Sequence, residues 1–204
     1  EETCTGDPAR RAGNEMLFQM QALQVNSLLK SYGIEKIITI CPHCFNTFKN
    51  EYPDLDGNFE VINYLGFISR LIGEGKLKTD PRIFEGKLLT YHDPCYLGRA
   101  NTVYDDPRKI LRSLGGEITE MERNRSRALC CGAGGAQMFK EAEKGDKEIF
   151  IERTEDALST GASVIATACP FCMTMITDGL KYKNREEEIK NLDIAELVAQ
   201  SLKP

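Results

Sequence analysis

The residues of this chain whose types and spacing could do chemistry are its eight cysteines. Two pairs have two residues between their members, one pair is adjacent, and two cysteines stand apart. They are Cys4, Cys41, Cys44, Cys95, Cys130, Cys131, Cys169 and Cys172. A disulfide framework is one interpretation of an even number, but a chain of 204 residues with charged helical segments between its cysteines exceeds the usual disulfide scaffold. Such clusters of thiols more often hold metal or do redox chemistry.

An internal repeat organises the chain into two units. Residues 38–44 line up with residues 166–172, and residues 62–67 line up with residues 192–197. Each copy therefore carries one C-x-x-C pair. We expect a first unit over residues 1–80 and a second unit over residues 81–204.

The cysteine spacing indicates that the two units are not equally complete. Counting back from the C-x-x-C pairs puts Cys4 opposite Cys131, and Thr3 then takes the position of Cys130. The second unit has a further cysteine, Cys95, whose equivalent in the first unit would lie before residue 1. We therefore expect the first unit to be truncated at its front and to need a ligand from upstream.

Strands and helices alternate along the sequence, which predicts an α/β fold with mainly parallel sheets flanked by helices. The C-x-x-C pairs follow β-branched runs at residues 36–40 and 163–168, so each pair lies where a buried strand ends and a helix begins. Two long helices are expected, over residues 7–33 and 137–159. The apolar face of the helix over residues 7–33 is formed by Met16, Met20, Leu23 and Leu28.

These positions favour thiolates that bind metal. A helix N-terminus presents unpaired N–H groups and the positive end of the helix dipole, which stabilise a thiolate. Gly132 and Gly134, in the loop after Cys131, would let the backbone approach a bulky group closely. Five thiolates in the second unit exceed the four that a closed zinc site takes, whereas an iron–sulfur cluster suits an adjacent cysteine pair. A structural zinc protein remains the alternative.

The sequence resembles the cysteine-rich CCG domain of the B-type and D-type subunits of heterodisulfide reductase and of related iron–sulfur oxidoreductases. The residues that carry the resemblance are Cys95, the run Cys130–Cys131–Gly132, and the pair Cys169 and Cys172. Residues 4–11 and 91–99 are most similar to one branch, large membrane-bound proteins that pass electrons from electron-transfer flavoprotein to quinone.

The resemblance implies roles for individual residues. In the second unit it implies a noncubane [4Fe-4S] cluster held by five thiolates. Those thiolates belong to Cys95, Cys130, Cys131, Cys169 and Cys172. From their places in the cysteine motifs, Gly132, Gly134 and His92 are expected around the cofactor. His92 would be a hydrogen-bond donor to the site or a substitute ligand, and the alternative is a polar residue that only fills the loop. In the first unit the resemblance implies a second cluster on Cys4, Cys41 and Cys44 with help from upstream residues. Since one cysteine of that set is a threonine, an ordinary four-ligand [4Fe-4S] cluster is expected there.

Two functions follow from the resemblance. The first is an electron relay from a flavoprotein towards a quinone or a partner subunit, in the cytoplasm at the inner face of a membrane. Its partners would be electron-transfer flavoprotein and an upstream membrane and ferredoxin-type part of the same protein. The alternative is a catalytic site that cleaves a disulfide at the noncubane cluster. The net charge of −5 gives no basic footprint for nucleic acid.

Overall fold

The computed structural model describes residues 3–141 and 144–202. The first part of the chain forms helices α1 and α2, strand β1, helix α3, strand β2 and helix α4. Their bounds are Asp7–Arg11, Glu15–Ser31, Lys36–Thr39, Pro42–Asn46, Glu60–Asn63 and Tyr64–Gly73. A π-helical turn, Thr47–Glu51, and a 3₁₀ turn, Tyr52–Leu55, follow α3.

The second part repeats this order with more strands. It contains β3, α5, β4, α6, β5, α7, β6 and α8. Their bounds are Leu88–Tyr91, Asp105–Ser113, Glu117–Ile118, Ile149–Leu158, Val164–Thr167, Pro170–Tyr182, Lys190–Asp193 and Ile194–Gln200. Short 3₁₀ turns lie at Pro81–Ile83, Arg125–Arg127 and Gln137–Phe139.

All strand pairs within the two described sheets are parallel, which confirms the predicted α/β class. One sheet has the order β1-β2, and the other has the order β4-β3-β5-β6. The segment β1-α3-β2-α4 matches β5-α7-β6-α8, with a cysteine capping α3 and α7 and an Asn or Asp capping α4 and α8. The structure therefore shows the internal repeat. The two sheets differ because β5 pairs on both edges, whereas β1, among the described residues, pairs with β2 alone.

One hydrophobic core joins the two units. Tyr64 and Leu65 of α4 pack in the same cluster as Leu89 and Tyr91 of β3 and Ile194 of α8. The Tyr64 hydroxyl donates to both carboxylate oxygens of Asp193, at 2.9 and 3.0 Å. Elements on both sides of residue 80 therefore share buried apolar surface.

The predicted extent of both long helices is wrong. The first divides into α1 and α2, because Gly13 adopts a φ of +85° and the Asn14 side chain accepts from the N–H of Leu17 to start a new helix. The described residues of this stretch, 137–141 and 144–159, form a 3₁₀ turn and the ten-residue α6. The intervening residues are polar and contain Gly145, so no apolar face anchors a helix there. Residues 142–143 lie outside the described part.

Helix α2 buries a different face from the one expected. Phe18, Ala22 and Val25 pack into the core. Met16 and Met20, on the opposite side, are 74% and 60% exposed. The helix is apolar on two sides, and periodicity alone does not decide which side packs. No helix in residues 3–141 or 144–202 has the length and apolar content to cross a membrane.

Candidate metal centre

The second C-x-x-C pair sits at the start of α7. Cys169 caps the helix from extended backbone at the end of β5, Pro170 occupies the first turn, and Cys172 is buried one turn in. Proline suits this position because its missing N–H would have had no helical partner. The Cys172 thiol lowers the pKa of Cys169, against the opposing effect of burial, and the Cys172 backbone N–H adds to the lowering.

A second cysteine with a lowered pKa, Cys130, lies in the glycine-rich loop. Hydrogen bonds from Cys131 and then Cys95 lower the pKa of Cys130, helped by the backbone N–H groups of Gly132 and Gly134. The N–H of Gly132 donates to the Cys130 Sγ at 3.3 Å. Gly132 has a φ of +92°, which an L-residue with a side chain adopts only at a cost. The same bond to Cys130 raises the pKa of Cys131 to about 12.

All five cysteines predicted for the second unit lie together. Their thiols form one continuous chain of sulfur contacts, in the order Cys95, Cys130, Cys131, Cys172 and Cys169. They come from three chain segments. Cys95 follows β3, the adjacent Cys130 and Cys131 lie in the loop after β4, and Cys169 and Cys172 follow β5. The meeting of these segments at one sheet edge is the arrangement expected where ligands bind in open α/β sheets.

A buried ion pair holds the loop that carries Cys95. The carboxylate of Asp93 accepts two bonds from the guanidinium of Arg108, both at 2.8 Å, and one from the N–H of Arg125 at 2.7 Å. Arg108 also donates to Glu120 at 2.6 and 2.7 Å. Asp93 and Arg108 are 3% and 0% exposed. Three elements are therefore pinned to the turn before Cys95.

His92 lies near two of the five thiols. One of its ring nitrogens and the Sγ atoms of Cys131 and Cys172 are all within 4.8 Å of one another. Its Nδ1 accepts a hydrogen bond from the Nε of Arg153 at 2.9 Å. Arg153 is fully buried on α6, 61 residues from His92. No sequence signal pointed to Arg153, because nothing in the spacing links it to the cysteine motifs.

The first unit places its C-x-x-C pair in the same way. Cys41 caps α3 from extended backbone, and the Cys44 thiol, ahead of the opposing effect of burial, lowers the pKa of Cys41. The Oγ1 of Thr5 lies 3.7 Å from the Sγ of Cys44. Cys4, one residue earlier, is exposed.

Thr5, rather than Thr3, is the residue that replaces a cysteine. Thr5 contacts Cys44 as Cys131 contacts Cys172. The residue after Thr5 is Gly6, whose φ of +86° matches the +92° of Gly132. Cys4 therefore corresponds to Cys130, and the expectation that it stands opposite Cys131 is wrong. Counting residues misplaced it because the connecting segments of the two units differ in length.

The two sites lie next to each other. The rings of His43 and Phe171, equivalent residues of the two C-x-x-C turns, meet edge to face with centroids 4.8 Å apart. The Nδ1 of His43 lies 2.8 Å from Oδ2 of Asp7. Burial opposes protonation of His43, but the hydrogen bond and charge of Asp7 outweigh it and raise the His43 pKa. A cavity of about 10 Å³ lies between the units, lined by these residues and by residues 133–136.

The donor set fits an iron–sulfur cluster. Five sulfurs converge at the second site, and Cys130 and Cys169, whose pKa values are lowered, receive backbone N–H bonds. The buried Nε2 of His92 has no hydrogen-bond partner within residues 3–141 and 144–202, so the site contains an unpaired polar atom that a bound group could satisfy. A single tetrahedral zinc ion would leave one of the five thiols unused.

These features are those of a cysteine-rich metal-binding module, and the comparisons with known proteins show which one. The cysteine-rich domain called CCG matches residues 1–49 and 89–177. The chain belongs to this family. Several of its relatives are named as oxidoreductases or reductases.

Three relatives show which proteins this chain is similar to in sequence. The chain is 43% identical to the EtfAB:quinone oxidoreductase of Syntrophomonas wolfei, over 99% of this chain and 29% of that protein. It is 45% identical to the "Probable iron-sulfur-binding oxidoreductase FadF" of Bacillus subtilis, over 99% and 28%. It is 35% identical to a subunit of the dihydromethanophenazine:CoB–CoM heterodisulfide reductase of Methanosarcina barkeri, over 99% and 50%. The chain thus spans between a quarter and a half of these relatives.

Proposed function

We propose that this chain is an electron-relay module with two adjacent iron–sulfur sites. The second site uses the thiolates of Cys95, Cys130, Cys131, Cys169 and Cys172 to hold a noncubane [4Fe-4S] cluster. The observation that carries the proposal is the unbroken chain of five sulfurs, of which those of Cys131, Cys169 and Cys172 are buried. When bound, such a cluster accepts and donates single electrons at a potential set by hydrogen bonds and burial.

The first site differs because of one residue. Thr5 offers a hydroxyl where the second site offers the Cys131 thiolate, so Cys4, Cys41 and Cys44 are the thiolates that this chain supplies. An ordinary [4Fe-4S] cluster takes four cysteines. We propose that the fourth comes from a strand that pairs with the open edge of β1, as β3 pairs with β5. The upstream part of the same protein is our candidate for that strand.

The two sites are close enough to act in series. The His43–Phe171 ring contact joins the two C-x-x-C turns, and the charge of Cys169 acts on both Cys41 and His43. Electrons arriving at one site therefore have a short path to the other. The name of the Syntrophomonas relative favours electron-transfer flavoprotein as donor and a quinone as acceptor. Another relative is named a probable membrane-anchored ferredoxin, and we propose that the relay works at the cytoplasmic face of a membrane.

Anaerobic rapid mixing tests the relay. Reduced electron-transfer flavoprotein is mixed with the reconstituted protein, and cluster bleaching is followed by absorbance and freeze-quench EPR. We expect reduction of the iron signals within the flavin oxidation time, followed by reoxidation on adding a quinone. The matched control is Cys172→Ser, which removes one ligand of the second site only. Flavin oxidation that leaves the iron signals unchanged would refute the relay.

Disulfide cleavage is the second candidate, and the relative from Methanosarcina favours it by name. The cavity between the units, bordered by Asp7, His43 and Phe171, is where a disulfide would meet the second site. Its volume of about 10 Å³ is the room of one water molecule, so a substrate would have to displace the glycine-rich loop. Thiol release from a disulfide by the dithionite-reduced protein, absent in Cys172→Ser, would support this candidate over the relay.

A further inference from the structure

The imidazole of His92 has one occupied and one free nitrogen in a fully buried setting. The residue is 1% exposed, and its Nδ1 accepts from the Nε of Arg153 at 2.9 Å. Its Nε2 has no hydrogen-bond partner in the part of the chain that the structure describes. Arg153 is itself held in place, because its Nη1 donates to the carbonyl of Arg123 at 2.7 Å and to Asp156 at 3.1 Å.

This arrangement fixes the tautomer of the ring. The Nε of an arginine always carries a hydrogen and has no lone pair to offer, so the Nδ1 of His92 must be the acceptor. A neutral imidazole with its lone pair at Nδ1 carries its single proton at Nε2.

The fixed tautomer decides whether the Nε2 of His92 can bind a metal or can only donate a hydrogen bond. A histidine that binds metal commonly donates its other ring N–H to a carboxylate or a carbonyl, which leaves the binding nitrogen with a lone pair. In His92 the other nitrogen accepts instead, so Nε2 is a donor and has no lone pair for a metal. The acceptors near the ring are the Sγ atoms of Cys131 and Cys172, which lie within 4.8 Å of one of its nitrogens.

We propose that His92 donates a hydrogen bond from Nε2 to the sulfurs of the second site, and that Arg153 is the positioning residue that sets this tautomer. His92 is then not a ligand. The effect on the cluster rests on the function proposed above, whereas the tautomer does not. Hydrogen bonds to cluster sulfurs are one of the factors that set the reduction potential, and a donated proton stabilises the more negative, reduced state.

Nitrogen NMR tests the tautomer without any cluster. The chain has two histidines, so selective ¹⁵N-histidine labelling gives two rings, and His43→Gln assigns them. We expect the metal-free protein to show the Nδ1 of His92 unprotonated and Nε2 protonated. In Arg153→Met we expect the two nitrogen shifts of His92 to move towards the average of exchanging tautomers. A wild-type Nδ1 that carries the proton would overturn the proposal.

Potentiometric EPR of the anaerobically reconstituted protein tests the role. We expect His92→Phe to keep the iron content and spectral type of the second site and to lower its potential. His92→Asn, which retains an N–H donor, should fall between wild type and His92→Phe. Loss of iron or a changed spectral type in both variants would identify a ligand and overturn the proposal. Wild-type protein without iron would refute the proposed function and the cluster role together, while the NMR result on the tautomer would stand.

Discussion

The Asp93–Arg108 pair should be among the most sensitive positions of the fold. Arg108 is fully buried and donates two bonds of 2.8 Å to Asp93, which is 3% exposed. Replacing Arg108→Met keeps an apolar stem of similar length but leaves the Asp93 carboxylate buried without its cation. Removing one partner of a buried ion pair costs about 3–5 kcal/mol, since the remaining charge is uncompensated.

The other contacts of Arg108 add little to the loss of stability expected for Arg108→Met. The side chain of Glu120 is 34% exposed, so its pairing with Arg108 is screened by solvent and adds less than about 1 kcal/mol. Asp93→Asn removes the charge but keeps an oxygen that accepts from Arg125. The loss of charge-assisted bonds in that variant should cost about 1.5–3 kcal/mol, less than Arg108→Met.

Urea unfolding of the metal-free protein measures both variants. With a slope of about 2 kcal/mol per M, a loss of 3–5 kcal/mol lowers the midpoint of Arg108→Met by about 1.5–2.5 M. The matched control is Lys30→Met. Its partner Asp56 is 86% exposed, so solvent screens the pair and we expect almost no change in the unfolding midpoint. An Arg108→Met loss no larger than that of Lys30→Met would refute the reasoning.

Three further predictions follow from single contacts. In the metal-free protein, Gly132→Ala should lower the free energy of unfolding by about 1–2 kcal/mol, because its φ of +92° is strained for alanine. Gly134→Ala should be neutral, since its added Cβ meets no described atom within 4 Å. Equal unfolding midpoints of the two variants would contradict this. Burial raises the Asp193 pKa above its usual 3.8, although the N–H of Ala195 and the hydroxyl of Tyr64 oppose it. The folded state therefore binds a proton that the unfolded state releases, and stability falls as pH rises from about 4 through the folded pKa. Asp193→Asn should accordingly gain stability relative to wild type between pH 4 and pH 7 in urea titrations, and a pH-independent difference would be inconsistent with it. Finally, Cys44→Ser should reduce iron at the first site and leave the EPR signal of the second site intact, whereas loss of both signals would show that the sites are not separate.

The sequence predicts the parts of this fold that depend on local chemistry. The C-x-x-C turns lie at strand-to-helix junctions because proline and the helix N-terminus determine that geometry within a few residues. The convergence of Cys95 with the Cys130–Cys131 pair follows from the parallel strand order. The class of the protein and the grouping of the second set of thiols could both be anticipated on these grounds.

Features that depend on packing at a distance could not be predicted. Helix α2 has two apolar sides, and only the tertiary fold selects Phe18 over Met16 for burial. The pairing of Arg153 with His92 joins positions 61 residues apart with no motif between them. The equivalence of Thr5 and Cys131 depended on the backbone conformation of Gly6, which a count of residues between cysteines does not register.

The most direct test of the central claim is the iron, acid-labile sulfide and zinc content per chain of anaerobically reconstituted protein, compared between wild type and Cys131→Ser. Five converging thiolates predict about four irons with matching sulfide at the second site and an EPR signal of noncubane type, with most of that iron absent from the variant. Zinc without sulfide, or iron unchanged in Cys131→Ser, would contradict the assignment of this cysteine set to an iron–sulfur cluster.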